Sequence, residues 1–375
     1  MSEWKETELQ EVAEVQTGPF GSQLKNKQYI TGGTPVITVE HLKDFKIIDF
    51  DYPSVTEDDR NRLSKYLLKA GDIVFTRVGS VDLSAYVKEH QDGWMFSSRM
   101  LRVRPHLDTV NSRFLSYYFQ QKNFRDYILN ISVGATMPSI NTEILKGIPI
   151  SFPCLHEQTA IASVLSSLDD KIDLLHRQNA TLEKMAETLF RQWFVEEADE
   201  SWEESKLGDY ITPQKGKNIT KSQAIDGAFP VIAGGLTPSC CHNKCNTKAP
   251  VITVSASGAN AGFVNLHHTP VWSSDSSFID YSITLYIYFY YVFLKIYQNL
   301  ITDKQEGSAI PHIYPSHLMD LDIIDFPKEL IEKFENIVKS QFDKIKANAK
   351  QIRTLEKLRD TLLPKLMCGE VRVKI

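Results

Sequence analysis

The chain has 375 residues, 42% of them hydrophobic and 24% charged, a length that suits about two to three domains, each large enough for its own core. A formal net charge of −5 excludes a broadly basic nucleic-acid-binding domain and confines any such surface to loops. The five cysteines, Cys154, Cys240, Cys241, Cys245 and Cys368, are an odd number in a chain whose opening Met1-Ser-Glu-Trp4 shows no basic-then-apolar leader. Both features point to free thiols and the cytoplasm.

A first globular head is expected over 1–153. It opens on Trp4-Lys-Glu-Thr-Glu-Leu9, continues through the turn Gly18-Pro-Phe-Gly21 and a short Pro35-Val36-Ile37 strand, and reaches a β-rich run into a glycine turn, Gly71-Asp-Ile-Val-Phe-Thr-Arg-Val-Gly79. In Ser98-Arg-Met-Leu-Arg-Val-Arg104 the alternation places Arg102 and Arg104 on one face of a strand, expected to be solvated. A long helix follows over 154–199. Its apolar residues Ile161, Leu165, Leu168, Ile172, Leu175, Leu182, Ala186, Leu189 and Trp193 alternate spacings of four and three, with Asn179 in one seam position. Residues 155–193 as a helix would be roughly 58 Å long.

A second head is expected over 200–327, opening on Trp202-Glu-Glu-Ser-Lys-Leu207 and carrying Pro230-Val231-Ile232 and Ala249-Pro-Val-Ile-Thr-Val-Ser-Ala-Ser-Gly258. Tyr281 to Leu294 is uncharged for 14 residues. As a helix that reaches only about 21 Å against a hydrocarbon core of about 30 Å, so a buried helix is expected and no membrane span. The last segment, 328–375, is a second long helix with Phe334, Val338, Ile345, Ile352 and Leu355 on its seam and Gln341 and Asn348 interrupting it. Pro364 and Gly369 are expected to end it, and Glu370-Val-Arg-Val-Lys-Ile375 reads as a closing strand.

The two halves repeat each other. Gly134 to Ile140, Phe152-Pro153 and Thr181-Leu-Glu-Lys184 recur as Gly307 to Ile313, Phe326-Pro327 and Thr354-Leu-Glu-Lys357, at an offset of 173 to 174 residues. A fixed offset over more than forty residues signals a duplicated head-and-helix unit and pseudo-two-fold symmetry. The first long-helix segment carries net −5 and the second +5, which favours pairing them as an antiparallel intramolecular coiled coil. Independent helices and an intermolecular coiled coil are the alternatives. The fold class expected is therefore α+β, with two mixed α/β heads joined by two long helices.

The head–helix–head–helix plan resembles the specificity (S) subunit of type I restriction-modification enzymes over nearly the whole chain. Thr17-Gly-Pro-Phe-Gly-Ser-Gln-Leu24 and Gly71 to Ser80 resemble one version of that family's target-recognition domain. Phe229 to Gly235, Pro250 to Gly258 and Trp272-Ser-Ser-Asp275 resemble another. Pro153-Cys-Leu-His-Glu-Gln158, Leu355 to Leu366 and Gly369-Glu-Val-Arg-Val373 resemble the two spacer helices. The resemblance implies that each head reads one half of an asymmetric bipartite site in double-stranded DNA while the helices act as a ruler. It also implies two methyltransferase (M) subunits docked on the chain and motor/nuclease (R) subunits joining for cleavage. S-adenosylmethionine, ATP and Mg would then belong to those partners, and this chain would hold no cofactor and no metal.

Candidate DNA contacts follow from turn chemistry, since hydroxyl and basic groups at turns serve phosphates or base edges. In the first head these are Ser22, Lys25, Arg77, Ser80 and Arg99, with an Arg77 salt bridge to Asp72 or Asp82 as the alternative. The second head contains no arginine, although arginine to guanine is the commonest specific base contact. Its contacts would come from Lys215, Lys217, Asn218, Ser257, Asn260 or Lys304. Cys240-Cys-His-Asn-Lys-Cys245 near His267-His268 offers a single tight cluster where structural zinc needs two spaced ligand pairs, so no metal is expected. There is no Pro-Pro dipeptide for an amino-methylation motif and no Gly-x₄-Gly-Lys-Ser/Thr loop, and a chain without catalysis of its own is expected. The rival functions are a self-contained restriction or modification enzyme and a coiled-coil scaffold that binds only proteins.

Overall fold

A computed structural model describes residues 4–48, 50–134, 136–307 and 310–374. Met1–Glu3 at the opening, Ala135, Ser308 and Ala309 within the two repeated glycine turns, and Ile375 at the end of the expected closing strand lie outside the described residues, as does Asp49. The chain forms two compact units, one of Met1–Ile172 with Arg353–Ile375 and one of Asp173–Ile352.

In the first unit the strands are β1 (Lys5–Glu8), β2 (Ala13–Thr17), β3 (Thr34–Ile37), β4 (Leu42–Lys43), β5 (Lys46–Ile47), β6 (Ser54–Val55), β7 (Ile73–Thr76), β8 (Ser84–Tyr86), β9 (Met95–Phe96), β10 (Met100–Pro105) and β11 (Pro149–Phe152). They build an antiparallel sheet in the order β2-β10-β7-β8, a mixed sheet β6-β3-β9, and the ribbons β1-β11 and β4-β5. Helices α1 (Glu57–Arg62), α2 (Ser112–Gln120), α3 (Lys122–Ile131) and α4 (Thr142–Lys146) accompany them. The side chains of Thr56, Asn111 and Asn141 cap α1, α2 and α4 by accepting from the amides of Asp59, Phe114 and Ile144, which satisfies donors the helix cannot. β7 is buried on both faces. Ile73 and Phe75 join Phe114, Phe119 and Ile128, whereas Val74 joins Val36, Phe96 and Met100, which is why this strand reads as a continuous apolar run.

The second unit repeats this frame. Strands β12 (Glu204–Lys206), β13 (Gln214–Lys215), β14 (Phe229–Ile232), β15 (Cys240–His242), β16 (Val251–Ser255), β17 (Val264–His267), β18 (Trp272–Ser273), β19 (Ser276–Asp280) and β20 (Asp322–Ile324) form the sheets β13-β19-β16-β17, β15-β14-β18 and β12-β20. Between α5 (Leu155–Arg191), the first long helix, and α9 (Lys328–Met367), the second, lie α6 (Ile287–Ile296), α7 (Gln298–Asp303) and α8 (Pro315–Met319). Residues 287–294 of α6 are all buried, as expected of a helix apolar all round. Its first amides, of Tyr288 and Phe289, donate to the Glu335 carboxylate at 3.2 and 2.8 Å. Among the described residues no helix is long and apolar enough to cross a membrane.

Both units contain a piece of each long helix. In the first, the Arg359 guanidinium donates to Asp169 at 2.9 Å and Arg372 meets Glu157 at 3.8 Å. In the second, Asn348 Nδ2 donates to Gln178 and Asn179 at 2.9 and 2.8 Å, and the Phe190 and Phe334 rings meet edge-on at 5.7 Å. Later positions on α5 meet earlier ones on α9, so the segments run antiparallel within each unit.

Three expectations change. The deepest residues at the end of α5 are Phe190 and Phe194, with Leu189 and Trp193 only half-buried. Phe190 there faces both Phe289 of α6 and Phe334 of α9, so the buried stripe is wider than a two-helix seam. Phe342 is likewise sealed, stacked on Tyr288 at 4.5 Å. Pro364 does not end α9, which runs to Met367. Proline removes one donor in the last turn, Cys368 N still donates to the Pro364 carbonyl at 3.1 Å, and Gly369 with φ +76° makes the stop. Residues 370–374 form no strand. Arg372 is drawn to Glu157 and Val373 packs on the first core.

Candidate nucleic-acid interface

The end of β7 organises the candidate site of the first unit. Arg77 N donates to the Arg99 carbonyl at 2.8 Å, Ile140 N to the Arg77 carbonyl at 2.9 Å, and Gly79 N to the Pro138 carbonyl at 2.9 Å. On the other side Gly18 N donates to the Met100 carbonyl at 3.2 Å. A side chain at Gly18 would sit 2.1 Å from the Ser97 carbonyl, so the close approach of the two loops requires glycine. These bonds gather the loops around 18–20, 77–80, 97–99 and 136–140.

Over this junction the Arg77 guanidinium lies on the Phe20 ring, 5.6 Å from its centroid, with Nη1 donating to the Ser98 carbonyl at 3.4 Å. Phe20 is 48% exposed, and a guanidinium on an aromatic face keeps its outward N–H groups free while losing side-chain freedom. Among the described residues no carboxylate pairs with Arg77. Asp72 is taken by Arg104 at 2.7 Å, and Asp82 by Arg125 at 2.5 Å. Arg99, Ser80, Ser22 and Lys25 are exposed. Gln23 N and Leu24 N donate to the Phe20 carbonyl at 2.7 and 3.0 Å and close the turn that carries Ser22. Phe20 itself is not singled out by sequence reasoning, because an aromatic between proline and glycine reads as turn filler.

Arg102 and Arg104 share a strand face, but that face is internal. Arg102 is 1% exposed, bonded to Glu14 at 2.7 Å and to the carbonyls of Lys65 and Leu67. Arg104 forms a forked pair with Asp72 at 2.8 and 2.7 Å. The segment before β7, through the carbonyls of Lys65 and Leu67, covers what would otherwise be a solvated face.

The same junction is rebuilt in the second unit with other side chains. Ala256 N donates to the Asp275 carbonyl at 3.1 Å, Ile313 N to the Ala256 carbonyl at 2.8 Å, Gly258 N to the Pro311 carbonyl at 3.0 Å, and Gly216 N to the Ser276 carbonyl at 2.8 Å. Ser257 Oγ donates to Asp275 Oδ2, and a side chain at Gly234 would sit 2.5 Å from the Ser257 carbonyl. Lys215, Lys217 and Asn218 are exposed on the segment that Gly216 pins to this junction, and Lys217 N donates to the Ser273 carbonyl at 2.9 Å. Asn260 is half-buried and its carbonyl accepts from Phe263 N at 3.0 Å. Lys304 is differently employed, its ammonium donating to Asp320 Oδ2 at 2.8 Å. Sequence reasoning passes over Asp275, although it closes the motif Trp272-Ser-Ser-Asp275; only the fold shows that it holds, in the second unit, the position that Arg99 holds in the first.

Among the described residues no three His, Cys, Asp or Glu side chains lie together as metal ligands. His242 accepts from Ile225 N at 3.0 Å, and His267 is hydrogen-bonded to Thr253 at 2.8 Å. Burial pushes His267 and His268 down to about 4, so both are neutral near pH 7.

The family described as "Type I restriction modification DNA specificity domain" matches residues 1–184. The type I restriction enzyme MjaIX specificity subunit of Methanocaldococcus jannaschii is 28% identical over 99% of this chain and 94% of its own length. The putative MjaX specificity subunit of the same organism is 27% identical over 72% of this chain and 62% of its own length. Among solved structures, the S subunit of a type I restriction-modification system from M. genitalium superposes with a TM-score of 0.64 at 19% identity, covering 100% of this chain and 97% of the other. Residues 1–184 thus match the type I restriction-modification DNA specificity domain, and along its whole length, with two repeated α/β frames, the chain is similar to the specificity subunits of type I restriction-modification enzymes.

Proposed function

We propose that the two junctions are the DNA-reading edges, each taking one half of an asymmetric bipartite site in double-stranded DNA. The observation that carries this reading is one backbone frame built twice with different side chains on it, Arg77 and Arg99 in one unit against Ala256 and Asp275 in the other. A repeated frame suits a repeated task, and changed donors and acceptors suit a changed sequence. α5 and α9 set the spacing between half-sites and carry two methyltransferase subunits, with motor/nuclease subunits joining for cleavage. S-adenosylmethionine, ATP and Mg act on those subunits, the complex works in the cytoplasm, and this chain contributes recognition without catalysis.

Base-by-base methylation mapping of cells with and without this gene tests the reading. A split, non-palindromic motif methylated on adenine, lost with the gene, is the expected result. A contiguous palindrome, or a methylome indifferent to the gene, would overturn it. Removing one heptad from α5 and α9 together should change the spacer and leave both half-sites intact.

A further inference from the structure

The first unit places two guanidinium groups at its junction, whereas the second places a carboxylate at the position of one and a methyl group at the other. Arg77 and Ala256 are equivalent because each donates its N–H to the residue opposite, Arg99 or Asp275, at 2.8 or 3.1 Å, and each accepts at its carbonyl from the residue two after a proline, Ile140 or Ile313, at 2.9 or 2.8 Å. Gly79 and Gly258 then share a positive φ, +86° and +81°, and the same bond to a proline carbonyl. The reading edge has therefore exchanged donors for an acceptor on an unchanged backbone.

We infer that Asp275, oriented by Ser257, is the specificity-determining residue of the second unit, accepting a hydrogen bond from the exocyclic amino group of a cytosine or adenine in the major groove. The inference rests on the DNA-reading function proposed above and names the chemistry of one half-site. Ser257 Oγ donates to one carboxylate oxygen, Oδ2, which fixes the rotamer. Among the described residues Oδ1 receives no hydrogen bond and no cation pairs with Asp275, and the side chain is half-buried at the strand end. A carboxylate is an acceptor only. Of the groups in the major groove it can be matched by cytosine N4 or adenine N6, and it is repelled by the O6 and N7 of guanine.

A carboxylate close to phosphates needs compensation, and the fold supplies it. Gly216 leaves no room for a side chain against Ser273 and Ser274, its Cβ position being 2.5 Å from the Ser274 carbonyl. The exposed Lys215 and Lys217 on either side of it are thus held beside the segment that carries Asp275. Two lysines for the backbone and one aspartate for a base edge separate positioning from specification. This division also accounts for a reading unit without arginine.

The experiment is methylation mapping in cells carrying the complete system with Asp275→Asn, Asp275→Ala or Arg77→Ala in this chain. Asp275→Asn preserves shape and can still accept from Ser257, so it guards against loss of folding. The expected result is that both Asp275 variants relax or change one position of one half-site by about tenfold or more in preference. The other half-site and the spacer stay as they were, and Arg77→Ala changes only that other half-site. An unaltered motif in the Asp275→Asn strain, or a change falling in the half-site that Arg77→Ala alters, overturns the inference while leaving the proposed function standing. A wild-type methylome without a bipartite motif removes the proposed function instead.

Discussion

Asn348 donates to Asn179 at 2.8 Å and to Gln178 at 2.9 Å, joining α9 to α5 through a polar layer. Asn348 is 1% exposed, and its own Oδ1 is buried without a donor among the described residues. Such a layer costs stability and fixes register, because a slip by one heptad would set Asn348 against Ile172 or Ala186 and break both bonds. Replacing Asn348 with Ala strands two acceptors and opens a void, and should cost about 1–3 kcal/mol in urea unfolding. Replacing it with Leu should cost less, or stabilise the fold, while broadening the range of helix registers seen by cysteine cross-linking.

Phe190 is fully buried between Phe289 and Phe334, at 5.5 and 5.7 Å. Phe190→Ala should destabilise the second unit by about 3–5 kcal/mol, read as a lower unfolding midpoint. Leu189→Ala, one residue earlier and half-buried, should cost clearly less, although heptad spacing ranks the two the other way.

Glu335 gives the second unit a pH dependence of unusual sign. Burial pushes its carboxyl up to about 7, against the opposing pull of the Phe289 and Tyr288 amides. Between about pH 4.5 and 7 the folded chain thus holds a proton that the unfolded chain has released. Stability falls as pH rises through that window and is flat above it, by at most about 3 kcal/mol. His267 and His268, pushed down to about 4 by burial, act oppositely, losing stability as pH falls from their ordinary value of about 6.5 towards 4. Glu335→Gln should therefore remove the fall in stability between about pH 4.5 and 7 and leave the histidines' loss on the acid side unopposed, measured as unfolding midpoints from about pH 4.5 to 8.

Lys304 is a candidate contact that the structure gives other work, pairing with Asp320 at 2.8 Å. Lys304→Ala should leave DNA affinity and its salt dependence within about twofold of wild type. Lys217→Ala removes an exposed cation at the junction and should lower the slope of log K against log salt by about one. Filter binding of the assembled complex between 50 and 200 mM salt separates them.

The frame was legible because it depends on backbone patterns that sequence carries directly. The Trp-x₄-Leu entries, the Pro-Val-Ile strands and the glycine after each β-rich run all recur at fixed places, and the folded chain puts Leu9 and Leu207, Val36 and Val231, Gly79 and Gly258 in matching roles. The proposed reading edge was legible only in part. Arg77, Arg99 and Ser257 stand at the junctions, whereas Phe20 and Asp275 acquire meaning only from loops far apart in sequence. Arg102 misled because period-two alternation identifies a shared face without saying what covers it. Pro364 misled because a proline one turn from a helix end removes only one donor.

The division of both long helices between the two compact units has a genetic consequence. The first unit is not encoded by one continuous stretch, since Leu366 and Met367 help seal the core that holds Leu9, Phe114 and Leu165. A stop codon near position 353 would come after the last residue of the second unit and yet leave intact only that unit, stripping the lid from the one translated first. Nascent chains therefore cannot complete the amino-terminal unit until synthesis is nearly over, and frameshifts late in the gene strike the earliest-made half.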